Sequence, residues 1–123
     1  MNKEEYKNVL VVAEQRHGEI QNVTLELLGK ARELADVRKQ QVVAVLAGHQ
    51  IEGRAKDLIA HGADRVVVID HPVLEHFITE PYTKAVVAAL KAEQPETVLF
   101  GATAIGRDLA PRVGARIYTG LTA

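Results

Sequence analysis

Gly101 and Gly106, with Thr103 between them and Arg107 and Asp108 directly after, form the stretch of this chain best suited to meet an anion. The apolar run Thr97 to Phe100 leads into it and a helical pattern leads out. At the carboxyl end of a parallel strand, such a turn aims backbone N–H groups and a helix N-terminus at a ligand. The glycine spacing invites comparison with a P-loop, which needs Lys followed by Ser or Thr for phosphate charge and Mg²⁺. Arg107 and Asp108 hold those places here, and Asp108 would repel a phosphate it faced. These residues argue against a nucleoside triphosphatase, and G-x-G-x-x-G is not matched. Two readings remain. In one, Thr103 is a hydroxyl donor and Arg107 a fixed cation for a phosphate, a flavin edge or a partner's carboxylate. In the other, the glycines only shape the turn, Asp108 caps the helix and Arg107 is solvated.

Other chemistry finds few residues to carry it. His17, His49, His61, His71 and His76 lack the spacing of a metal set and read as surface residues. His71 beside Asp70 has the form of an oriented base, but the chain contains no serine and no cysteine to serve as its nucleophile. Zero cysteines also exclude disulfides, iron–sulfur ligation and cysteine-bound zinc, and fit a reducing compartment. Arg112 and Arg116 read as surface or interface residues.

Fifteen Lys and Arg against sixteen Asp and Glu leave a formal charge of -1, so there is no basic field for nucleic acid. Aromatic residues at 4%, with no Trp, provide no stacking platform for single strands. The opening MNKEEYKN lacks the apolar segment of a secretory signal, and no apolar run approaches a membrane span. These features predict a soluble, cytoplasmic protein without membrane insertion. At 123 residues the chain is one domain, large enough to bury a core without staples.

The elements that would position the loop alternate strand and helix. Val9 to Ala13 is an uninterrupted apolar run, expected to be buried on both faces. His17-Gly18 predicts a hairpin turn, and Asn22 a cap for a helix with Leu27, Leu28, Ala31, Leu34 and Ala35 inward. Val42 to Ala47 is the next strand. A helix with Ile51, Ala55, Leu58 and Ile59 inward follows, closed by Gly62 as its C′ residue. Arg65 to Asp70 is the third strand, and Thr79 and Pro81 open a helix burying Tyr82, Ala85, Val86, Ala89 and Leu90. Pro111 belongs in a first helical turn, which predicts Asp108 as the N-cap of the last helix and Gly120 as its end. Leu121-Thr122-Ala123 reads as the start of a fifth strand. Four β-α units with short connections predict an α/β fold of three layers, a mostly parallel sheet with helices on both faces.

The segment GATAIGRDLAPRVGARIYTGLTA, preceded by TVLF, resembles the N-terminal domain of electron transfer flavoprotein alpha subunits. NVLVVAEQRHGEIQNVTLELLGKARELA and AHGADRVVVID resemble it as well, so the likeness covers nearly the whole chain. Gly114 departs from it, standing where alanine is usual at about 1 kcal/mol of helix propensity. The resemblance implies an adenine-nucleotide-hydrolase-like, Rossmann-like domain over residues 1–123. It implies a heterodimer with an electron transfer flavoprotein beta subunit, carrying electrons from an acyl-CoA dehydrogenase or similar redox partner to an acceptor. The protein would be a carrier, with no catalytic residues of its own and redox activity only in the complex.

FAD is then held mainly by a C-terminal domain beyond this chain, and is not expected to be held by this chain alone. In family members that bifurcate electrons from NADH, Gly101, Thr103, Gly106 and Arg107 would line a flavin or NADH edge. The alternative from the residues is a free-standing universal-stress-type domain using the same loop for ATP or AMP.

Overall fold

A computed structural model describes residues 6–117. The apolar runs become four parallel strands: β1 (Val9–Val12), β4 (Val42–Gly48), β5 (Arg65–Asp70) and β6 (Thr97–Leu99). Their order across the sheet is β5-β4-β1-β6. Between β1 and β4 the chain adds a small antiparallel ribbon, β2 (Gln15–Arg16) and β3 (Glu19–Ile20). His17 and Gly18 join its strands with φ of 52° and 83°, as a two-residue hairpin turn requires.

Alternation along the strands builds two cores. Val9, Val11, Val42, Ala44 and Leu46 face α1 (Asn22–Arg38) and α2 (Ala55–Ala60). Leu10, Val12, Val43, Val45 and Ala47 face α3 (Thr79–Glu93) and α4 (Ala104–Ile117). Both central strands are buried along their whole length, so each needs both layers of helix. β5 lies at the sheet edge, and Val66 to Ile69 are only partly buried there.

Carboxylates lock the strand ends. Asp64 accepts from the Val42 N–H at 2.8 Å and from Arg32 at 2.9 Å, tying α1 to the start of β4. The Val42 hydrogen bond, more than the Arg32 guanidinium, holds the Asp64 carboxyl below its usual pKa against the opposing effect of burial. At the opposite end, Asp70 accepts from the Ile51 and Gln50 N–H groups at 2.8 Å each, which lowers its pKa in the same way.

The structure corrects three helix expectations. Asn22 is the first residue of α1 and not its cap; Gln21 takes the cap position without a side-chain bond. The Ile51-to-Ile59 helix is split into a 3₁₀ turn (Glu52–Arg54) and the short α2, which rotates Ile59 outward to 46% exposure. Gly62, at φ 123°, closes it as expected.

The third correction concerns α4, which begins at Ala104 and places Pro111 in its interior; Asp108 does not cap it. The cap is Thr103, whose hydroxyl oxygen accepts from the Gly106 N–H at 3.0 Å. Asp108 instead accepts from Thr79 Oγ1 at 2.6 Å and from Arg112 Nε at 3.3 Å, joining α4 to α3. Proline lacks an N–H, so the Arg107 carbonyl loses its helical donor. Arg107 and Pro111 are both exposed, and water is at hand on that side. Gly114 is buried in the same helix. Gly120 and Leu121-Thr122-Ala123 lie outside the described residues.

Candidate functional site

Counted by parallel strands alone, the sheet order is third-second-first-fourth, so the winding reverses between β1 and β6. Carboxyl ends of strands flanking such a reversal leave a crevice in open α/β sheets. A cleft of about 400 Å³ lies there, lined in part by Glu14, Gln15, His17, Phe77, Thr103 and Ile105. Val12, Tyr82 and Leu109 line a smaller, largely apolar hollow that shares Glu14, Gln15, Phe77 and Ile105 with the cleft.

The four loop residues hold different places. Gly106 is buried, and a Cβ on it would collide with the Gly101 carbonyl oxygen, so the helix start packs directly on the loop backbone. Gly101 is buried too; a Cβ there would lie 2.5 Å from Glu14 Oε2. Thr103 donates its hydroxyl to Glu14, with Oε1 at 2.9 Å and Oε2 at 2.8 Å. Arg107 is exposed, and its guanidinium reaches the Ala102 carbonyl at 3.4 Å. Gly101, Thr103 and Gly106 are thus one packed unit, with Arg107 on its outer side.

Glu14 is the residue that sequence reasoning missed. It lies two residues beyond the fully buried β1, after Ala13, and is only 7% exposed. Its N–H donates to Thr24 Oγ1 at 2.8 Å, Thr24 donates back to its carbonyl at 3.2 Å, and the Gln21 N–H bonds that carbonyl at 2.9 Å. The backbone is therefore fixed by α1 while the carboxylate reaches the β6–α4 loop. An acidic residue closing the uninterrupted apolar run Val9 to Ala13 was the available signal.

The histidines are dispersed. His17 and His76 meet edge to face at 6.1 Å beside the cleft. His71 Nδ1 accepts from the Val73 N–H at 3.1 Å, so it caps a 3₁₀ turn (Pro72–Leu74). Among the described residues, no group of three or more His, Asp or Glu is placed to hold a metal ion. No helix among them is long and apolar enough to cross a membrane.

A flavin dinucleotide brings a pyrophosphate, and the helix start does not fit one. Thr103 and the Gly106 N–H are already engaged, and the capping hydroxyl is hydrogen-bonded to the Glu14 carboxylate.

Sheet order, helix layers and the switch-point cleft define an α/β domain of the Rossmann-like class. The family model described as "Electron transfer flavoprotein domain" matches residues 9–123, and the chain belongs to that family. It is 52% identical over 119 residues to an electron transfer flavoprotein subunit alpha of Thermoanaerobacterium thermosaccharolyticum, covering 97% of this chain and 36% of that protein. It is 51% identical over 123 residues to the subunit alpha of Clostridium acetobutylicum, covering 100% of this chain and 37% of that protein. The subunit LctC of a lactate dehydrogenase (NAD(+),ferredoxin) from Acetobacterium woodii is 45% identical, with 100% of this chain and 29% of that protein covered. The chain thus spans about a third of the length of these relatives.

Proposed function

We propose that residues 1–123 are the N-terminal α/β domain of an electron transfer flavoprotein alpha subunit. In this reading the domain is a docking half: it packs with a beta subunit, and the complex carries electrons from an acyl-CoA dehydrogenase or similar partner to an acceptor in the cytoplasm. FAD is bound by the complete complex, mainly by a C-terminal domain of the alpha subunit, and redox activity belongs to the assembly. The observation that carries the reading is the family match over residues 9–123, together with two alpha subunits at 51–52% identity.

The loop Gly101, Thr103, Gly106 and Arg107 forms an edge facing a flavin or NADH bound elsewhere in the complex, with Arg107 as the contacting charge. Of the four, Arg107 is exposed, just past the carboxyl end of β6, which supports this role. A relative whose name joins NAD(+) and ferredoxin favours a bifurcating, NADH-oxidising system. When bound, the flavin supplies the electron-accepting chemistry; this chain's contribution is to shape and charge the edge. The test is Arg107→Ala in the full-length alpha–beta complex. Slower NADH oxidation at normal subunit assembly supports the edge, and unchanged flavin content with unchanged NADH oxidation removes it.

A further inference from the structure

The end of α4 that faces the switch point already holds an anion, and that anion is the protein's own. We propose that the Glu14 carboxylate occupies the position a nucleotide phosphate would take at this strand–loop–helix turn, so that the helix start refuses phosphates. This inference does not depend on the partner subunit or on the route of the electrons.

Four observations converge on it. Glu14 stands at the carboxyl end of β1, beside the winding reversal, and is 7% exposed. Both of its carboxylate oxygens accept from Thr103 Oγ1, at 2.9 and 2.8 Å. That same oxygen accepts the Gly106 N–H at 3.0 Å, which puts the carboxylate one hydroxyl away from the positive end of a fourteen-residue helix. Finally, the carboxylate lies close against the loop: a Cβ on Gly101 would stand 2.5 Å from Glu14 Oε2 and 3.0 Å from Val23 Cγ2. Helix N-terminus, hydroxyl donor and close-approaching glycine are the parts of an anion site; Glu14 takes the hydroxyl directly, lies against the glycine and reaches the helix N-terminus through the Thr103 hydroxyl.

A phosphate arriving at the same donors would meet the buried Glu14 carboxylate, where repulsion is far less screened than in water. The opening itself is not blocked, since about 400 Å³ of cleft remains beside Glu14, walled by Phe77 and Ile105. Glu14 is therefore a specificity residue by exclusion at the helix start, while Arg16, His17, Glu75 and His76 line the outer part of the cleft. At the Thr103 hydroxyl it leaves no place for a phosphate.

The test uses the full-length protein in its natural assembly, with inorganic phosphate as the probe and chloride at matched ionic strength as the reference. Wild type, Glu14→Ala and Glu14→Ala with Thr103→Val are melted across the titration. Phosphate stabilises folded chains generally, and it is expected to raise Glu14→Ala by about 2–4 °C more than it raises wild type. Adding Thr103→Val should abolish that extra gain, which separates the site from general salt effects and from phosphate bound elsewhere. An equal phosphate gain in wild type, or a folded Glu14→Ala with no gain, overturns the proposal. If Glu14→Ala does not fold, Glu14→Ser is measured in the same way. Folding of either variant only in phosphate supports the proposal, and failure of both with and without phosphate overturns it by making the carboxylate structural.

Discussion

Thr103 and Glu14 lie 89 positions apart in sequence, yet the threonine hydroxyl sits within 2.9 Å of both carboxylate oxygens. One side chain thereby caps α4, satisfies a buried acid and ties the last β-α turn to the end of β1. Replacing it with valine removes the cap, worth about 1 kcal/mol, and strips a buried carboxylate of its donor, worth about 1–3 kcal/mol. Thr103→Val is expected to lower unfolding free energy by about 2–4 kcal/mol in urea titrations. Thr103→Ser keeps the hydroxyl and should lose only about 1 kcal/mol.

Two glycine substitutions should move stability in opposite directions. At Gly106 a Cβ would run into the Gly101 carbonyl oxygen, which is backbone and cannot rotate away. Gly106→Ala is expected to destabilise by about 3 kcal/mol or more, at the upper end of overpacking effects. Gly29 is exposed on α1 with nothing within 4 Å of the added carbon. Gly29→Ala should therefore stabilise by about 1 kcal/mol from helix propensity alone. Chemical denaturation of the two variants beside wild type reads both signs.

Placing Pro111 inside α4 is itself testable. A proline in a helix interior is about 3 kcal/mol worse than alanine, whereas in the first turn it is nearly neutral. Pro111→Ala is expected to raise stability by about 1–3 kcal/mol. A change near zero in the urea midpoint would return the helix start to Asp108.

Acid should weaken the fold through the strand-end carboxylates. The carboxyls of Asp64 and Asp70 are both held below their ordinary values, first of all by backbone N–H groups of Val42 and of Ile51. A depressed folded-state pKa gives stabilisation that is fully present above the unfolded value, about 3.9, and is lost as pH falls through the folded one. The urea midpoint should therefore be insensitive to these groups between about pH 5 and 7 and fall below about pH 4. Asp64→Asn should flatten part of that fall while lowering stability at neutral pH.

The layered fold was legible because its strongest signals are apolar runs. Val9–Val12 and Val42–Gly48 are buried residue by residue, and only a sheet covered on both sides does that. Helix starts were less legible, because several polar residues compete for the same N–H groups. Asp108 is a good cap by residue type, but Thr79 on α3 lies within 2.6 Å and takes its carboxylate, leaving Thr103 to cap. Ile59 read as inward from helical spacing, and the preceding 3₁₀ turn shifted the phase. In the site, the glycines and Thr103 were visible as a loop motif. Glu14 was not, because burial of an acid depends on a partner loop far along the chain.

On the proposed reading, this domain works as half of a flavoprotein assembly. The most direct test is to purify the full-length protein with and without a beta subunit of the same family, recording mass and flavin absorbance together. An alpha–beta complex carrying flavin is expected. A full-length protein that remains alone, colourless and redox-active without any partner would contradict it.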